Sequence, residues 1–505
     1  MKTKSARRYP AGAEMLEEHN VSFRIWAPGK RKVELAIRQN SGRLSDYIFH
    51  TLNEERGGYF SIELSNIQEG TLYMYKLDGG DSLYPDPASR FQPEGTHGPS
   101  MVVNPHKYKW KDNKWSGVKL SGQVIYEMHL GTFTPEGTVQ AAMKELPELA
   151  DTGITVIEVM PIAEFSGRYG WGYDGVDLFA PYHYYGTPDE YRSFIDHAHS
   201  LGIGVILDVV YNHLGPDGNY LGAFSKDYFS QKYDNEWGEA INFDGKNSGA
   251  VREFFLSNAA YWIDEYHFDG LRLDATQQIF DSSEKNIIAE ISRAVRSAAG
   301  GKSTFIVAEN EPQNVKLVQP EDKGGYGLEC LWNDDLHHTA YVSAVSHNEA
   351  YYTDYHGSPQ EFISAFKYGY LYQGQWYSWQ KNRRGTPAFG IEPARFVTFT
   401  QNHDQIANSG RGERLHKITS PGRFKALTAL FLLSPGTPML FQGQEFASSS
   451  PFFYFADHNQ ELTEKIKEGR TEFLAQFPSL ATPEMQKCLP DPAEESTFKS
   501  CILDM

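Results

Sequence analysis

The chain has 505 residues, which is enough for about two to four domains. Its net charge is −18, and this acidic balance argues against nucleic acid or an anionic membrane as the main partner, since both require clustered lysine and arginine. No stretch approaches the roughly 18 consecutive apolar residues of a membrane span.

The cysteine content indicates a reducing compartment. Cys330, Cys488 and Cys501 are scattered and odd in number, so neither a disulfide framework nor a paired-cysteine metal site is expected. The basic N-terminus is not followed by an apolar run, so no secretory signal is visible. Together these features predict a cytoplasmic protein with reduced thiols.

The N-terminal segment, residues 1–108, has the alternating pattern of short strands. Residues 21–26, 32–37, 59–64 and 72–77 alternate between apolar and polar side chains and are separated by turns, without an amphipathic helix between them. This pattern predicts a small immunoglobulin-like β-sandwich.

From residue 109 to 450, apolar strands alternate with helical stretches, which is typical of a parallel sheet. Eight strands are predicted, at 124–129, 156–161, 204–210, 270–274, 305–309, 328–332, 396–400 and 436–441. Eight strands fit a closed (β/α)8 TIM barrel better than an open sheet, and no glycine-rich nucleotide loop follows the first one. The predicted fold class is therefore a multidomain α/β protein, a β-sandwich followed by a barrel. Residues 451–505 are expected to form a helix and a loop, a helical remnant.

Four carboxylates are predicted at the carboxyl ends of barrel strands, where barrel enzymes place their catalytic groups. They are Asp208, Asp274, Glu309 and Asp404. Any one of them is as well explained by a structural ion pair or a helix cap. As a set they resemble a glycosidase site, because cleavage with retention needs a carboxylate nucleophile and a protonated carboxyl group.

Neighbouring residues support that interpretation. Arg272 lies two residues before Asp274, hence on the same face of a strand, and its charge would keep Asp274 ionised. Glu309 ends an apolar strand, where burial would raise its pKa toward that of an acid. His213 and His403 are expected to bond to sugar hydroxyls rather than to a metal, since no further ligand follows at zinc-like spacing.

These segments resemble the conserved regions of the α-amylase superfamily, glycoside hydrolase family 13. The resemblance implies that Asp274 is the nucleophile, Glu309 the general acid and base, and Asp404 the stabiliser of the transition state. It also implies a group of substrate-binding residues around the cleaved bond, with Tyr173 stacking on the sugar: Tyr173, Asp208, His213, Arg272, Asn402 and His403. The superfamily usually has a C-terminal β-domain after the barrel, and here that domain is apparently missing.

Finer motifs resemble one branch of the superfamily, the maltooligosyltrehalose trehalohydrolases. They lie at 84–93, 97–100, 126–134, 332–338, 401–408 and 441–446. The resemblance implies hydrolysis of the α-1,4 bond next to a terminal trehalose. A polar set after strands six and seven is then expected to contact the trehalose: Asp334, Asp335, His337, His338, Gln405 and Asn408. The alternative for Asp334 and Asp335 is that they cap the following helix.

Two other functions stay open. A glycogen branching enzyme shares the fold and would pass the glycosyl group to a glucan hydroxyl instead of water. A non-catalytic glucan-binding scaffold would keep the fold, although the intact carboxylates speak against it. The expected partner is maltooligosyltrehalose or a related α-glucan, and no cofactor is expected. Asn212 matches a calcium ligand of secreted amylases, but the rest of that site is not recognisable.

Overall fold

The computed structural model describes residues 6–17, 19–39 and 46–505. Its N-terminal part consists of two antiparallel sheets, in the order β1-β2-β6-β5 and β4-β3-β7-β8, with β9 added on β7. The strands are β1 Gly12–Glu17, β2 Asn20–Trp26, β3 Val33–Arg38, β4 Tyr47–Thr51, β5 Asn53–Glu54, β6 Tyr59–Ser65, β7 Leu72–Leu77, β8 Leu83–Tyr84 and β9 Ser100–Met101.

The alternating pattern builds the core between these two sheets. Phe23, Leu35 and Tyr75 come from different strands and are fully buried in one apolar cluster. Since successive side chains of a strand point to opposite faces, every second residue enters this core. The predicted β-sandwich is confirmed.

The second part is a closed barrel of eight parallel strands, in which the last strand pairs with the first. The eight predicted strands are confirmed, in the predicted order along the chain. They are β10 Ile125–Met128, β11 Val156–Val159, β14 Gly204–Val209, β17 Gly270–Leu273, β18 Val307–Ala308, β19 Cys330–Trp332, β22 Phe396–Thr398 and β23 Thr437–Phe441.

Three two-stranded hairpins project from the loops of the barrel. They are β12 Ala163–Glu164 with β13 Asp177–Pro181, β15 Phe229–Asn235 with β16 Gly238–Ile241, and β20 Gln375–Tyr377 with β21 Asn382–Arg384.

The helices mostly surround the barrel. They are α1 Leu130–Phe133, α2 Val139–Thr152, α3 Pro188–Ser200, α4 Leu221–Phe224, α5 Ser248–Tyr266, α6 Ile287–Ala298, α7 Asp334–Val345, α8 Pro359–Tyr368, α9 His403–Ala407, α10 Leu415–Ile418 and α11 Pro421–Leu432. Local sequence sets their ends: Thr138 caps the start of α2, and Gly153, with a positive φ of 100°, closes its end. α3 starts with a capping box of Thr187 and Glu190.

The barrel strands alternate between two apolar layers. Ile125, Val156 and Met439 point into the barrel, while their neighbours Tyr126 and Ile157 pack outward against the helices. The lower interior is therefore a packed apolar plug, and any polar side chain placed inward on these strands lies above it.

The last residues, 451–505, contain three helices, α12 Gln460–Leu474, α13 Pro483–Gln486 and α14 Glu495–Ser500. This differs from the single helix predicted, because α13 and α14 are too short to show a helical period. The segment returns to the barrel, where the Leu503 amide donates to the carbonyl of Thr132 at 3.0 Å and Phe498 stacks on Tyr169.

The two parts of the molecule are joined by polar and aromatic contacts. The hydroxyl of Tyr9 donates to Asp264 on α5 at 2.8 Å, and Arg8 pairs with the same carboxylate at 2.9 Å. Trp26 packs edge-on against Tyr228 with ring centroids 5.0 Å apart. No helix in the described part of the chain is both long and apolar enough to cross a membrane.

Candidate active site

A polar layer lies inside the barrel above the apolar plug. Strand register places Glu127 beside Glu158, and Asp208 beside Arg272. All four belong to the strands β10, β11, β14 and β17, and all are almost fully buried. One half of the barrel therefore carries ionisable side chains inward at the level where the strands end.

Arg272 links three of the predicted carboxylates. Its Nη1 donates to both oxygens of Asp208, at 2.9 and 2.8 Å, and to Oδ1 of Asp274 at 2.8 Å. Its Nη2 donates to Oε2 of Glu309 at 2.8 Å. The guanidinium carbon lies 4.1 Å from the ring centroid of Trp332, so the aromatic face supports the cation from below.

Asp274 is held by donors on both oxygens. Arg272 occupies Oδ1, and the side-chain amide of Asn212 donates to Oδ2 at 2.8 Å. Hydrogen bonds from charged and amide donors favour the ionised form of a carboxyl group. Its side chain keeps 12% exposure, enough for a small reacting group to reach it.

Glu309 combines burial with partial access to the cleft. Burial raises the pKa of Glu309 above its usual value, while Arg272 opposes the shift. Its Oε2 accepts from Arg272 and from the backbone amide of Ala275 at 3.0 Å, and its side chain is 21% exposed. Ala275, directly after Asp274, has a left-handed backbone with a φ of 36°, and its amide donates to Glu309.

A second chain of contacts crosses the site from Tyr173 to Glu127. The Tyr173 hydroxyl donates to Asp208 at 2.7 Å and lies 3.0 Å from Nε2 of His403. His403 bonds through Nδ1 to Glu127, and it stacks on Tyr173 at a centroid distance of 5.2 Å. Burial lowers the pKa of His403, but Glu127 and then Asp404 outweigh it and raise the pKa to about 9.

Asp404 stands at the rim of this chain. Its Oδ2 lies 3.5 Å from His403 Nε2, and its side chain is 43% exposed. It is the second residue of α9, whose start is capped by Asn402 through a bond to the Gln405 amide at 2.9 Å. The geometry thus brings Asp274, Glu309 and Asp404 to one end of the barrel, as predicted from their strand positions, although their catalytic roles stay predictions.

The polar set expected to contact trehalose divides into two groups. Asp335 is fully buried and accepts from the Tyr355 hydroxyl at 2.6 Å and from the Tyr372 amide at 2.8 Å. His337 is 1% exposed and bonds to the carbonyl of Thr400. These two side chains are closed off by protein partners and do not reach the cleft directly.

His338 is buried among aromatic side chains. It is 4% exposed and lies within 4.8 Å of the Tyr355 ring, measured between centroids. Burial lowers the pKa of His338 well below its usual value, so the imidazole is neutral. It belongs with the buried members of the set.

The other members are partly exposed. Asp334 keeps 14% side-chain exposure at the start of α7, where Asn333 rather than Asp334 or Asp335 provides the cap. Gln405 accepts from the Tyr351 hydroxyl at 2.9 Å. Asn408 accepts from Arg470 at 2.8 Å.

Three of the residues expected to bind the sugar around the cleaved bond are buried, and they hold neighbouring residues in place. Asp208 is 2% exposed with both oxygens bound to Arg272, and burial raises its pKa to about 7. Asn402 is 1% exposed and serves as the cap of α9. His213 is 7% exposed, and its Nδ1 bonds to Asn212, the residue that holds Asp274.

Sequence reasoning missed two buried carboxylates of the polar layer. Glu127 carries His403, and Glu158 has two buried oxygens without a protein partner among the described residues. Burial raises the pKa of Glu158 well above its usual value, so it is protonated. The available signal was an acidic residue in the middle of an otherwise apolar strand, which is costly unless it is paired or neutral.

The arrangement of carboxylates can perform acid–base and nucleophilic chemistry. Within the described residues no three histidine, cysteine or acidic side chains come together as metal ligands. A cavity of about 710 Å³ lies beside Tyr108, Trp115 and His199, and none of the strand-end carboxylates lines it. This cavity is therefore separate from the candidate active site.

Fold and site together define a glycoside hydrolase of the α-amylase type. The family model for the alpha amylase catalytic domain matches residues 104–238, and the model for carbohydrate-binding module 48, the isoamylase N-terminal domain, matches residues 10–91. The chain belongs to the malto-oligosyltrehalose trehalohydrolase family, as shown by its similarity to curated relatives of that name.

The relatives cover most of the chain. The malto-oligosyltrehalose trehalohydrolase of Saccharolobus solfataricus is 41% identical over 90% of this chain and 79% of its own length. That of Deinococcus radiodurans is 39% identical over 95% and 76%. A crystal structure described as an alpha amylase from Salmonella typhimurium is 38% identical, with a TM-score of 0.90, and covers 98% of this chain and 82% of that one. A branching enzyme of Prochlorococcus marinus is more distant, at 28% identity over 89% of this chain and 65% of its own.

Proposed function

We propose that the protein hydrolyses the α-1,4-glucosidic bond next to the terminal trehalose of maltooligosyltrehalose, releasing trehalose and a shortened maltooligosaccharide with retention of anomeric configuration. The observation that carries the chemistry is the single guanidinium of Arg272 bound to both Asp274 and Glu309. The names of the relatives support the substrate.

Asp274 acts as the nucleophile. Two donors bind its oxygens and hold the carboxylate in place for attack on the anomeric carbon. The attack displaces the trehalose oxygen and forms a glycosyl ester on Asp274. Because one guanidinium joins the two carboxyl groups, we expect the spacing of about 5–5.5 Å that retention requires.

Glu309 acts as the general acid and then as the general base. Its Oε2 is bound to Arg272 and the Ala275 amide, which leaves Oε1 to carry the proton. Burial raises its pKa, which favours the protonated form that a general acid needs. The proton passes to the glycosidic oxygen as the bond breaks, and Glu309 later removes a proton from the water that hydrolyses the ester.

Asp404 stabilises the positive charge that develops on the sugar ring. It is partly exposed beside His403, which is held in its protonated form by Glu127. A fixed carboxylate near the forming oxocarbenium ion lowers the barrier without further reorganisation. Tyr173 offers its half-buried ring to the same sugar.

The leaving trehalose is recognised on the Glu309 side of the site. Asp334 at the start of α7, and Gln405 and Asn408 on and directly after α9, are partly exposed polar groups, and we propose that they contact it. The buried Asp335, His337 and His338 act by shaping that surface.

The three unpaired cysteines, all within the described residues, support a location in the reducing cytoplasm.

The test is a comparison of maltooligosyltrehalose with a maltooligosaccharide of equal length, with products separated by chromatography. A buried polar group left without a partner penalises the wrong leaving group. We expect at least a tenfold higher kcat/KM for maltooligosyltrehalose, which corresponds to about 1.4 kcal/mol. Equal rates contradict the proposal, and new α-1,6 linkages would replace it with branching activity.

A further inference from the structure

A hairpin that sequence reasoning did not identify leans against the loop after Glu309. The strands β20 and β21 pair so that Arg384 lies opposite Gln375. The amide of Gly385 donates to the carbonyl of Pro312 at 2.9 Å, and the Gln380 side chain bonds to Glu311. The hairpin is thereby fixed to the segment that follows the proposed catalytic acid.

This hairpin buries a cation beside the start of α7. Arg384 is 1% exposed, and its guanidinium carbon lies 4.9 Å from the ring centroid of Tyr377. Its Nη2 is 3.8 Å from Oδ2 of Asp334, and its Nε is 3.7 Å from Oδ1 of Asp335. Both distances exceed that of a hydrogen bond, and both nitrogens are buried with no bonded partner among the described residues.

The two aspartates differ in what they can still bind. Asp335 is fully buried and has a donor on each oxygen. Asp334 keeps 14% side-chain exposure, and no described residue donates to its carboxylate. A buried cation with unused donors is costly unless it serves a neighbouring group. Asp334 is the neighbour with free accepting capacity.

We infer that Arg384 is a positioning residue for leaving-group recognition: its guanidinium favours the ionised form of Asp334 and orients that carboxylate toward the cleft, where it accepts hydrogen bonds from trehalose hydroxyls. The inference rests on the proposed function. Asp334 lies on the correct side, because β19, which leads into α7, is the direct neighbour of β18, which leads into Glu309.

The charges around Asp334 explain why a cation is needed. Burial is the largest effect and raises the pKa of Asp334 to about 7, Arg384 lowers it, and the nearby carboxylates raise it. The titratable groups that face Asp334 are Arg384, Asp335, Glu309, Glu311 and the phenols of Tyr352 and Tyr370. The other groups named here are acidic or neutral, so without Arg384 we expect Asp334 to bind its proton up to higher pH.

The experiment compares Arg384→Met and Arg384→Lys with a matched control. Arg192→Met removes another fully buried arginine, which pairs with Asp189 and has an Nη2 without a partner, but it lies on α3 away from the cleft. The readout is the ratio of kcat/KM for maltooligosyltrehalose to that for a maltooligosaccharide of equal length, measured from pH 5 to 9. This ratio cancels a general loss of active enzyme.

Arg384→Met should lower the ratio at least fivefold at pH 7. The ratio should also reach its maximum at a higher pH than in the wild type. Arg384→Lys should restore part of the ratio and part of the wild-type pH profile. Arg192→Met should leave the ratio unchanged. A ratio and pH profile in folded Arg384→Met like those of the wild type would overturn the inference. Equal kcat/KM values for the two substrates in the wild type would instead contradict the proposed function on which the inference rests.

A second variant keeps the test decisive if Arg384→Met does not fold. Asp334→Asn is nearly isosteric and removes the titration itself. It should lower the ratio by a similar factor and make the ratio independent of pH in the neutral range. A ratio that keeps the wild-type pH dependence in Asp334→Asn would show that another group sets it, and would refute the role of Arg384.

Discussion

At the scale of single residues, one arginine organises the site. Arg272 has its guanidinium shared among Asp208, Asp274 and Glu309, so the three carboxylates are held at fixed positions before substrate arrives. Preorganised charges of this kind are usually the largest contribution to catalysis. The residues expected to touch the sugar are therefore not the same as the residues that only hold neighbouring side chains in place.

The proposed catalytic pair can be tested by isosteric substitution. Asp274→Asn removes the nucleophile and Glu309→Gln removes the acid, while both retain the side-chain volume. We expect each to reduce kcat at least a thousandfold, about 4 kcal/mol of barrier, with near-UV circular dichroism unchanged. A variant with more than about a tenth of the wild-type kcat would show that the wrong carboxyl group was assigned.

The Glu127–His403 pair should stabilise the fold in a defined pH window. The pKa of buried His403 is raised to about 9, so its stabilising charge is fully present below about pH 6.5 and is lost as the pH rises toward 9. Glu127→Gln should lower the free energy of unfolding by about 3 kcal/mol at pH 6. Urea denaturation at pH 6 and pH 9 measures the difference, which should shrink at pH 9.

An equal effect of Glu127→Gln at both pH values would contradict this assignment. The wild type measured in parallel supplies the control, because all other titrating groups are common to the two proteins. The comparison isolates the buried pair.

The sequence predicted which residues lie together at the site better than it predicted what each of them contacts there. Asp208 and Arg272 lie near the carboxyl ends of apolar strands, Asp274 and Glu309 come directly after such strands, and the parallel barrel brings these strand ends together. Their individual partners could not be read, because Glu127 lies 276 positions from His403 along the chain. Whether a polar residue such as Asp335 faces the cleft or the interior depends on contacts with distant tyrosines.

At the scale of elements, length decided what could be predicted. The alternation of β2 and the apolar run of β14 are clear strand signals, whereas the hairpin β20–β21 has only three residues in each strand. Such short strands persist only because tertiary contacts hold them, here the bonds to Pro312 and Glu311. The hairpin therefore lies beyond local sequence reasoning.

The segment before the barrel is fastened beneath it by a buried ionic cluster. Asp112 accepts from His199 at 3.1 Å, from His267 at 2.7 Å and from Lys302 at 3.4 Å, and His199 also bonds to Asp269 at 3.0 Å. Burial lowers the pKa of His199, and Asp112 and Asp269 outweigh it, so the pKa is raised. The cluster joins the segment to α3 and to the start of β17, at the end of the barrel opposite the carboxylates.

Breaking this cluster should cost stability and not activity. Asp112→Asn leaves His199 and His267 without their shared carboxylate, and we expect a loss of about 3 kcal/mol in the free energy of unfolding near pH 6, by chemical denaturation. The value of kcat at a temperature where the variant is folded should stay within a factor of two of the wild type. Lys114→Ala, an exposed neighbour, serves as the control and should change neither quantity. A large loss of kcat with Asp112→Asn would show coupling to the site.

At the scale of the whole molecule, the sandwich is docked on the barrel through a buried cation. Arg90 is 4% exposed, and its guanidinium lies 4.9, 4.7 and 4.5 Å from the rings of Tyr9, Phe179 and Tyr261. Desolvated cation–aromatic contacts are worth about 2 kcal/mol or more. The sandwich and the barrel are therefore expected to unfold together.

Differential scanning calorimetry can test this coupling. The wild type should show one transition that includes the sandwich, and Arg90→Met, which keeps the apolar length of the side chain, should lower Tm while weakening the docking contact. Arg31→Met on the exposed face of the sandwich is the matched control and should leave Tm nearly unchanged. Two separate transitions in the wild type would contradict a single cooperative unit.

The sharing of one guanidinium has a consequence for how this site can change over generations. A substitution at Arg272 leaves three buried or half-buried carboxylates without their common counter-charge, and a substitution at Asp208 leaves the cation to the other two. Effects of mutation within such a network are not additive. We therefore expect single substitutions at these four positions to be poorly tolerated, whereas partly exposed neighbours such as Asn408 should tolerate single changes that alter substrate preference.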